Sequence, residues 1–275
     1  MINYPDINPN IVSFGPVAVR WYGLMYVCGF LSGWWLARRR AAQPGSTWKI
    51  QDVEDLIFFA AMGVILGGRI GWILFYGLTD ELNEPLLLFK IWKGGMSFHG
   101  GLIGVAVALA LFAKRRVRSI MDVYDFTIPL PALGLMFGRI GNFINGELWG
   151  KPTDVPWAFI VDGVPRHASQ LYEAALEGLV LFWIIWIFTR KPRPQIAPTG
   201  LWLLCYGVFR FLVEFVRIPD ANRGYLLWDW VTEGQLLCLP MIVLGGYLLI
   251  WAYRRNRPSG NMQTHNVQTQ NNQPK

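Results

Sequence analysis

Apolar segments of membrane-crossing length recur along the whole chain, and short polar stretches separate them. A helix needs about 20 apolar residues to cross the roughly 30 Å hydrocarbon core of a bilayer. The pattern predicts seven transmembrane helices, near residues 17–37, 54–76, 97–113, 120–141, 170–189, 199–217 and 233–253. We therefore expect an all-α polytopic membrane protein.

Basic clusters follow every second apolar segment and give the predicted helices an orientation. They lie at residues 38–40, 114–118, 190–193 and 254–257, after the first, third, fifth and seventh segments. Lysine and arginine collect on the cytoplasmic side of membrane proteins. The N-terminus is therefore expected in the periplasm and the C-terminus in the cytoplasm, with a small periplasmic segment between two of the helices.

Composition favours a membrane protein over a nucleic-acid-binding one. Hydrophobic residues make up 53% of the chain and charged residues 16%, and the mean hydropathy is +0.31. Soluble domains contain about 25% charged residues. The net charge of +7 comes from clusters between apolar segments, so nucleic acid is not an expected partner. The Asn- and Gln-rich residues 259–275 predict a disordered cytoplasmic tail after a membrane domain of residues 1–258.

Nothing in the sequence predicts a metal or cofactor site. Cys28, Cys205 and Cys238 lie within apolar segments and lack the spacing of metal ligands or of a disulfide framework. They are interpreted as small buried side chains. The chain has only 3 histidines, and no phosphate-binding glycine loop of the nucleotide-binding type occurs.

Polar side chains on the predicted outer side of the membrane are the candidates for function, because charge at membrane depth is costly and usually functional. They are Tyr22 and Tyr26 in the first predicted helix, His99 at the start of the third, Arg139, Asn142, Asn145 and Glu147 at the end of the fourth, His167, Gln170, Tyr172 and Glu173 at the start of the fifth, and Arg210, Glu214 and Arg217 in the sixth. In the predicted topology these groups converge in one outward-facing cavity.

Most of these side chains also have a structural explanation. These explanations are an ion pair for Arg210 and Glu214, snorkelling for Arg217, packing for His99 and an aromatic belt for Tyr22 and Tyr26. Arg139 is harder to explain in this way, because it comes with two amides, a carboxylate and glycines that let a ligand approach the backbone. The tetrapeptide Gly-Arg-Ile-Gly occurs at residues 68–71 and 138–141, a match that we assign to chance. Arg69 has less polar company and ranks below Arg139.

Arginines from different helices suit an anionic ligand. Guanidinium groups bind phosphate through two parallel hydrogen bonds, and phospholipid headgroups supply phosphate at this depth. Arg139 and Arg210 therefore predict a protein that handles phospholipid in the outer leaflet. The residues alone leave open whether it is an enzyme or a transporter.

The stretch GRIGNFINGELWG at residues 138–150 resembles the signature of the bacterial prolipoprotein diacylglyceryl transferases. The resemblance extends to WYGLMY at 21–26, GGMSFHGGLIG at 94–104, RHASQLYE at 166–173 and YGVFRFLVEFVRIPD at 206–220. The predicted helix count and orientation also match this family. The resemblance implies transfer of the diacylglyceryl group of phosphatidylglycerol to the lipobox cysteine of a prolipoprotein, with release of glycerol phosphate, at the periplasmic side of the inner membrane and without a cofactor.

The implied reaction assigns roles to the candidate residues. His99 is the expected acceptor of the thiol proton, although an arginine-polarised thiol or another base remains open. Arg139 and Arg210 are the expected phosphate clamp. The other binding candidates are the hydrogen-bonding side chains Tyr22, Tyr26, Asn142 and Asn145, the carboxylates Glu147 and Glu214 that we expect to orient arginines, and Arg217.

Two rival functions explain part of the pattern. A phospholipid or anion transporter accounts for the intramembrane arginines but not for the long signature. An intramembrane protease requires Ser97 and His99 to act together, yet residues two apart on a helix face different directions.

Overall fold

The computed structural model describes residues 1–5, 7–14, 17–74, 95–219, 224–227 and 230–261, and it is mostly helical. The chain divides into two compact units. The first unit combines Met1–Ala37 with Val123–Arg257, and the second combines Arg38–Asp122 with Pro258–Lys275.

A helix lies on each of the predicted spans. The helices are α1 (Trp21–Ala41), α2 (Ile50–Trp72), α3 (Phe98–Arg115), α4 (Ile120–Thr127), α5 (Pro131–Ile144), α6 (Ser169–Phe188), α7 (Ala197–Val213) and α8 (Glu233–Arg255). By length and composition, α6 and α8 are able to cross a membrane, and α4 with α5 adds a third span if this bent pair is counted as one. That search covers only the described residues, and the count of seven crossings stays a prediction. Residues 75–76 of the predicted second span lie outside the described part.

Prolines shape two of the predicted spans. The fourth consists of α4 and α5, which are bent by 46° at a short break that contains Pro129. Helix α5 then begins at Pro131. Proline lacks the N–H that a continuous helix needs. The sixth predicted span was expected to be helical to Arg217, but α7 ends at Val213, shortly before Pro219. Proline disfavours helical conformation at the residue before it, here Ile218, so a helix is not expected to continue through this position.

Short strands make the all-α prediction too simple. A three-stranded sheet has the order β1 (Ile2–Asn3), β4 (Phe159–Val161), β5 (Val164–Arg166), and two-stranded pairs join β2 (Asn10–Phe14) to β3 (Val17–Arg20) and β6 (Tyr225–Leu227) to β7 (Val231–Thr232). Strand β1 is parallel to β4, which pairs antiparallel with β5. Asp162 and Gly163 connect β4 to β5 with positive φ angles of 50° and 76°, as a tight hairpin turn requires.

The second unit is built on close packing between α2 and α3. A Cβ added to Gly71 would lie 2.6 Å from Gly100 Cα, so the absence of side chains here allows the two backbones to meet. Trp48 stacks on Phe112 with ring centroids 6.0 Å apart. These contacts align the N-terminal half of α3, where His99 lies, with the C-terminal half of α2.

The predicted tail begins with residues that are held by hydrogen bonds within the second unit. Gly260 N donates to Asp122 Oδ1 over 3.0 Å, and Asn261 accepts from Trp48 Nε1 over 2.7 Å. Residues 262–275 of this tail lie outside the described part. The tail boundary and the single membrane domain of residues 1–258 stay predictions.

Candidate active site: an arginine–glutamate cluster

Three arginines of the first unit meet at one buried carboxylate, that of Glu173 in α6. Arg139 Nε of α5 lies 2.8 Å from Glu173 Oε2, and Arg210 Nη1 of α7 lies 2.5 Å from Oε1. Arg217 Nη1 lies 3.5 Å from the same Oε1. The side chain of Glu173 is only 2% exposed. Arginines separated by about seventy residues in the sequence are thereby brought together.

The end of α7 gives Arg210 a second carboxylate. Arg210 Nη2 lies 2.8 Å from Oε2 of Glu214, one helical turn later. Oε1 of Glu214 accepts a hydrogen bond from Thr232 Oγ1 over 3.1 Å, and Thr232 caps the N-terminus of α8 together with Gln235. Glu214 therefore lies beside a guanidinium group, and its role in orienting Arg210 stays a prediction. Arg217 lies beyond the end of α7 and pairs through its backbone with Gly150.

The middle of α6 is a π-helical segment, Ala174–Val180, and contains another buried carboxyl group. Glu177 is 0% exposed, and its Oε1 lies 3.8 Å from Arg210 Nη1. A Cβ at Gly178 would lie 2.5 Å from Met136 Cβ, so this glycine lets α6 approach α5 closely. That approach sets Arg139, three residues after Met136, against Glu173. Segments of π-helix occur frequently at functional sites.

The signature residues after Arg139 form their own hydrogen-bonded group. Glu147 Oε1 accepts from Asn142 Nδ2 over 2.9 Å and from Asn145 Nδ2 over 3.2 Å. Gln170 of α6 donates to the backbone carbonyl of Glu147. Glu147 was expected to orient an arginine. The structure shows it with the two amides instead, and Glu173 takes the position beside Arg139.

Tyr22 and Tyr26 of α1 lie side by side, as their spacing predicts. Their hydroxyl oxygens are 3.4 Å apart, and Tyr26 is half exposed. A Cβ at Gly141 would lie 2.9 Å from Tyr22 Cδ2, so α5 approaches α1 at this glycine of the signature. The first unit thus contains all the candidate residues except His99.

His99 lies in the first turn of α3 in the second unit, where its side chain is exposed. Ser97 caps this helix by accepting a hydrogen bond from Gly100 N over 3.2 Å. Arg69 of α2 is 1% exposed and donates from Nη1 to the carbonyl of Gly95 over 3.0 Å. Ser97 therefore has a capping role in addition to its proximity to His99 in the sequence.

Side-chain contacts join a histidine, a tyrosine and a tryptophan at the start of α6. Trp157 Nε1 donates to Tyr172 Oη over 2.8 Å, and His167 Nδ1 lies 3.1 Å from the same oxygen. Partial burial lowers the pKa of His167, because it disfavours the charged imidazolium. These contacts hold the start of α6, which carries Glu173.

Two functional candidates were missed by the sequence reasoning. Glu173 appeared only among the polar residues that open the fifth predicted helix, without a role, and Glu177 was not considered. Both are acidic, four residues apart, and lie within an apolar segment. Two carboxyl groups with helical spacing at membrane depth are themselves a signal of function, and this signal was available in the sequence.

Within the described residues, no three His, Cys, Asp or Glu side chains are grouped as metal ligands would be. The expectation of a site without metal or cofactor stays a prediction.

Apolar helices that carry partly buried arginines paired with buried glutamates define a class of protein, the helical membrane proteins with an interior charged site. A family model described as prolipoprotein diacylglyceryl transferase matches residues 9–251 of this chain. The chain belongs to this family, and the assignment that rested on the signature is confirmed.

Similar proteins cover almost the whole chain. A protein of Pseudomonas aeruginosa is 54% identical over 259 residues, which are 93% of this chain and 97% of the relative. A protein of Oleidesulfovibrio alaskensis is 54% identical over 267 residues, 96% of this chain and 100% of the relative. One of Azotobacter vinelandii is 53% identical over 259 residues, 93% of this chain and 98% of the relative. All three are named phosphatidylglycerol–prolipoprotein diacylglyceryl transferase.

Proposed function

We propose that this protein transfers the diacylglyceryl group of phosphatidylglycerol to the lipobox cysteine of prolipoproteins. Relatives that are 54% identical carry this activity in their names. The structural observation that carries the proposal is the convergence of Arg139 and Arg210 on Glu173, because it concentrates guanidinium groups at the start of the signature segment. Such a site suits the phosphate of a lipid headgroup.

The proposed location is the bacterial inner membrane, with seven helices across the bilayer and the active site towards the periplasm. Support comes from a helix on each predicted span and from basic clusters that alternate along the sequence. In this orientation the signature segment lies at the depth of the outer headgroups. Both substrates reach such a site from the membrane or its outer surface.

The reaction forms a carbon–sulfur bond and breaks a carbon–oxygen bond. The cysteine sulfur attacks the glyceryl carbon, and the bond from that carbon to the phosphate oxygen breaks. The oxygen keeps the electron pair and leaves as glycerol phosphate, while the thiol proton passes to a base. Because an unperturbed cysteine has a pKa of about 8.5, the base and the stabilisation of the leaving phosphate are the two demands on the protein.

Arg139 and Arg210 meet the second demand in this mechanism. Arg139 faces Glu173 through Nε, and Arg210 uses one Nη1–H and one Nη2–H towards carboxylates. A guanidinium has more N–H groups than these contacts use, so both arginines have donors left for phosphate oxygens. Donors that are already oriented stabilise the charge that develops on the leaving group.

The remaining candidates bind and orient the lipid. Asn142 and Asn145, held by Glu147, offer hydrogen bonds to headgroup hydroxyls without adding charge. Glu214 fixes the guanidinium of Arg210, and Arg217 adds a further positive charge at Glu173. Tyr22 and Tyr26 present adjacent hydroxyl groups. No metal or nucleotide takes part in this proposal.

His99 is our proposal for the base. A histidine accepts protons near neutral pH, and we expect His99→Gln to slow transfer by about 10²-fold at pH 7. The rate loss of this variant is expected to be smaller above the pKa of the thiol, because the cysteine then ionises without help. Rates of peptide lipidation between pH 6.5 and 9.5 measure this effect. A loss that is the same at every pH contradicts the role of base.

A mass measurement tests the function itself. Purified protein is incubated with phosphatidylglycerol and a lipobox-cysteine peptide, without metal or nucleotide. We expect the peptide to gain the mass of a diacylglyceryl group while glycerol phosphate appears in equal amount. An unchanged peptide together with movement of labelled lipid between vesicle leaflets favours a transporter instead.

A further inference from the structure

Glu177 is the member of the cluster that the proposed mechanism leaves unexplained. It is fully buried in the π-helical segment of α6, and within the described part of the chain neither carboxyl oxygen has a hydrogen-bond partner. Buried polar groups are nearly always hydrogen-bonded, and an exception calls for an explanation. Its carboxyl group faces a positive charge, because Oε1 lies 3.8 Å from Arg210 Nη1.

Glu177 differs from the other two glutamates of the cluster in how it meets Arg210. Glu173 and Glu214 lie 2.5 and 2.8 Å from the guanidinium and therefore occupy its N–H groups. When it is ionised, the Glu177 carboxyl group at 3.8 Å adds negative charge without occupying a donor. It is thus suited to adjust the charge of the site while leaving the phosphate-binding groups of Arg210 available.

The contacts of the cluster join arginines to carboxyl groups. The positive charges are those of Arg139, Arg210 and Arg217, and the carboxyl groups are those of Glu173, Glu177 and Glu214. The lipid substrate is a phosphodiester with one negative charge. The leaving glycerol phosphate is a monoester, which carries about −1.5 to −2 near neutral pH. A cluster with surplus positive charge therefore holds the product more strongly than the substrate.

We propose that Glu177 is a positioning residue that offsets the charge of Arg210, so that the cluster binds the phosphodiester headgroup and still releases the phosphate monoester. This inference rests on the proposed function for the identity of the two phosphates. It assigns Glu177 to product release, while Arg139 and Arg210 act on bond cleavage.

Replacement of Glu177 by glutamine separates charge from shape. Glu177→Gln retains the size of the side chain and removes its negative charge, whereas Glu177→Asp retains the charge. Glu54→Gln is the matched control, because Glu54 is an exposed member of an ion pair with Arg38 in the second unit. The measurements are KM for phosphatidylglycerol, kcat, and the inhibition constant of added glycerol phosphate.

For Glu177→Gln we expect a lower KM, a lower kcat and inhibition by glycerol phosphate that is about tenfold tighter, because a nearby like charge no longer opposes the anion. Glu177→Asp is expected to retain most of the kcat of the unchanged protein. Glu54→Gln is expected to behave as the unchanged protein. A purely structural role predicts a different result, since loss of packing lowers kcat without tightening the binding of an anion.

Two results overturn the inference. If Glu177→Gln has unchanged kinetic constants, Glu177 carries no charge that matters to the site. If both variants lose activity and thermal stability together while glycerol phosphate binds no tighter, Glu177 serves packing. Direct binding of glycerol phosphate to the detergent-solubilised protein is measured in parallel without turnover. A failure of the proposed transferase function appears as absent lipidation by the unchanged protein, whereas the binding comparison still decides the role of Glu177.

Discussion

The tetrapeptide Gly-Arg-Ile-Gly occurs in both units, and its two arginines have different surroundings. Arg69 is 1% exposed, donates to the carbonyl of Gly95 over 3.0 Å and lies 5.0 Å from the ring centroid of Trp72. Arg139 lies 2.8 Å from Glu173, which two further arginines also contact. The arginine of the same local sequence thus binds a backbone carbonyl in the second unit and joins a charged cluster in the first unit. An arginine at membrane depth indicates function only together with its partners.

The glycines of the two tetrapeptides show what they share. A Cβ at Gly71 would lie 2.6 Å from Gly100 Cα, and one at Gly141 would lie 2.9 Å from Tyr22 Cδ2. The last glycine therefore permits close helix packing in both copies. The first glycines differ, because a Cβ at Gly138 meets nothing within 4 Å whereas one at Gly68 meets the flexible end of Met96.

The largest effect on activity is expected from loss of the arginine charge in the second copy of the tetrapeptide, at residues 138–141. Arg139→Gln should lower the rate of lipidation by about 10²- to 10³-fold, as removal of an oriented donor to a developing charge does, while the protein still inserts into the membrane. Peptide mass measures transfer, and size-exclusion chromatography in detergent measures folding. A full gain in peptide mass contradicts the clamp assignment.

Arg69→Gln is the matched change in the first copy. It removes a buried hydrogen-bonding group and should destabilise the protein by about 1–3 kcal/mol, with activity per folded molecule reduced much less than in Arg139→Gln. Thermal unfolding in detergent, combined with the lipidation rate, separates the two effects. An equal loss of specific activity in both variants erases the distinction between the copies.

Alanine at the last glycine is expected to disturb both copies, and the first one more. Gly71→Ala forces a methyl group against the backbone of α3, which does not yield, and overpacking of this kind costs about 1–3 kcal/mol or more. Gly141→Ala meets a tyrosine ring that has some freedom to rotate. We expect the lower apparent unfolding temperature for Gly71→Ala. The opposite order argues that α5 and α1 are packed more rigidly than their distances indicate.

The smallest effect is expected at Gly138, where the structure has room. Gly138→Ala should change the free energy of unfolding by less than about 0.5 kcal/mol, and it serves as the control for Gly141→Ala within the same helix. Thermal unfolding checks the expectation. A marked loss of activity without loss of stability would show that the open side of Gly138 is used by a substrate.

Much of the fold was predictable from local pattern, and the errors have local causes. Apolar runs located the helices, but the α4–α5 bend at Pro131 and the end of α7 before Pro219 were not anticipated although proline signals both. The Val-Asp-Gly-Val sequence at residues 161–164 is likewise a hairpin signal, and it forms the turn between β4 and β5.

The site was predictable in its residue types and less so in its pairing. Arg139, Arg210 and Glu214 were singled out because charge is costly at membrane depth. The pairing of Arg210 with Glu214 follows from their spacing on one helix. The pairing of Arg139 with Glu173 does not, because it depends on how α5 approaches α6 at Gly178.

The sequence alone determined the helical membrane character, the family and the list of candidate side chains, since these depend on composition, period and motif length. Only the tertiary structure decided that GRIGN at residues 138–142 contributes side chains to two separate interaction groups. Arg139 pairs with Glu173, and Asn142 donates a hydrogen bond to Glu147. It also brought Glu177 to within 3.8 Å of Arg210. Contacts between helices far apart in the chain depend on close packing at single glycines, and no local pattern encodes which glycine faces which helix.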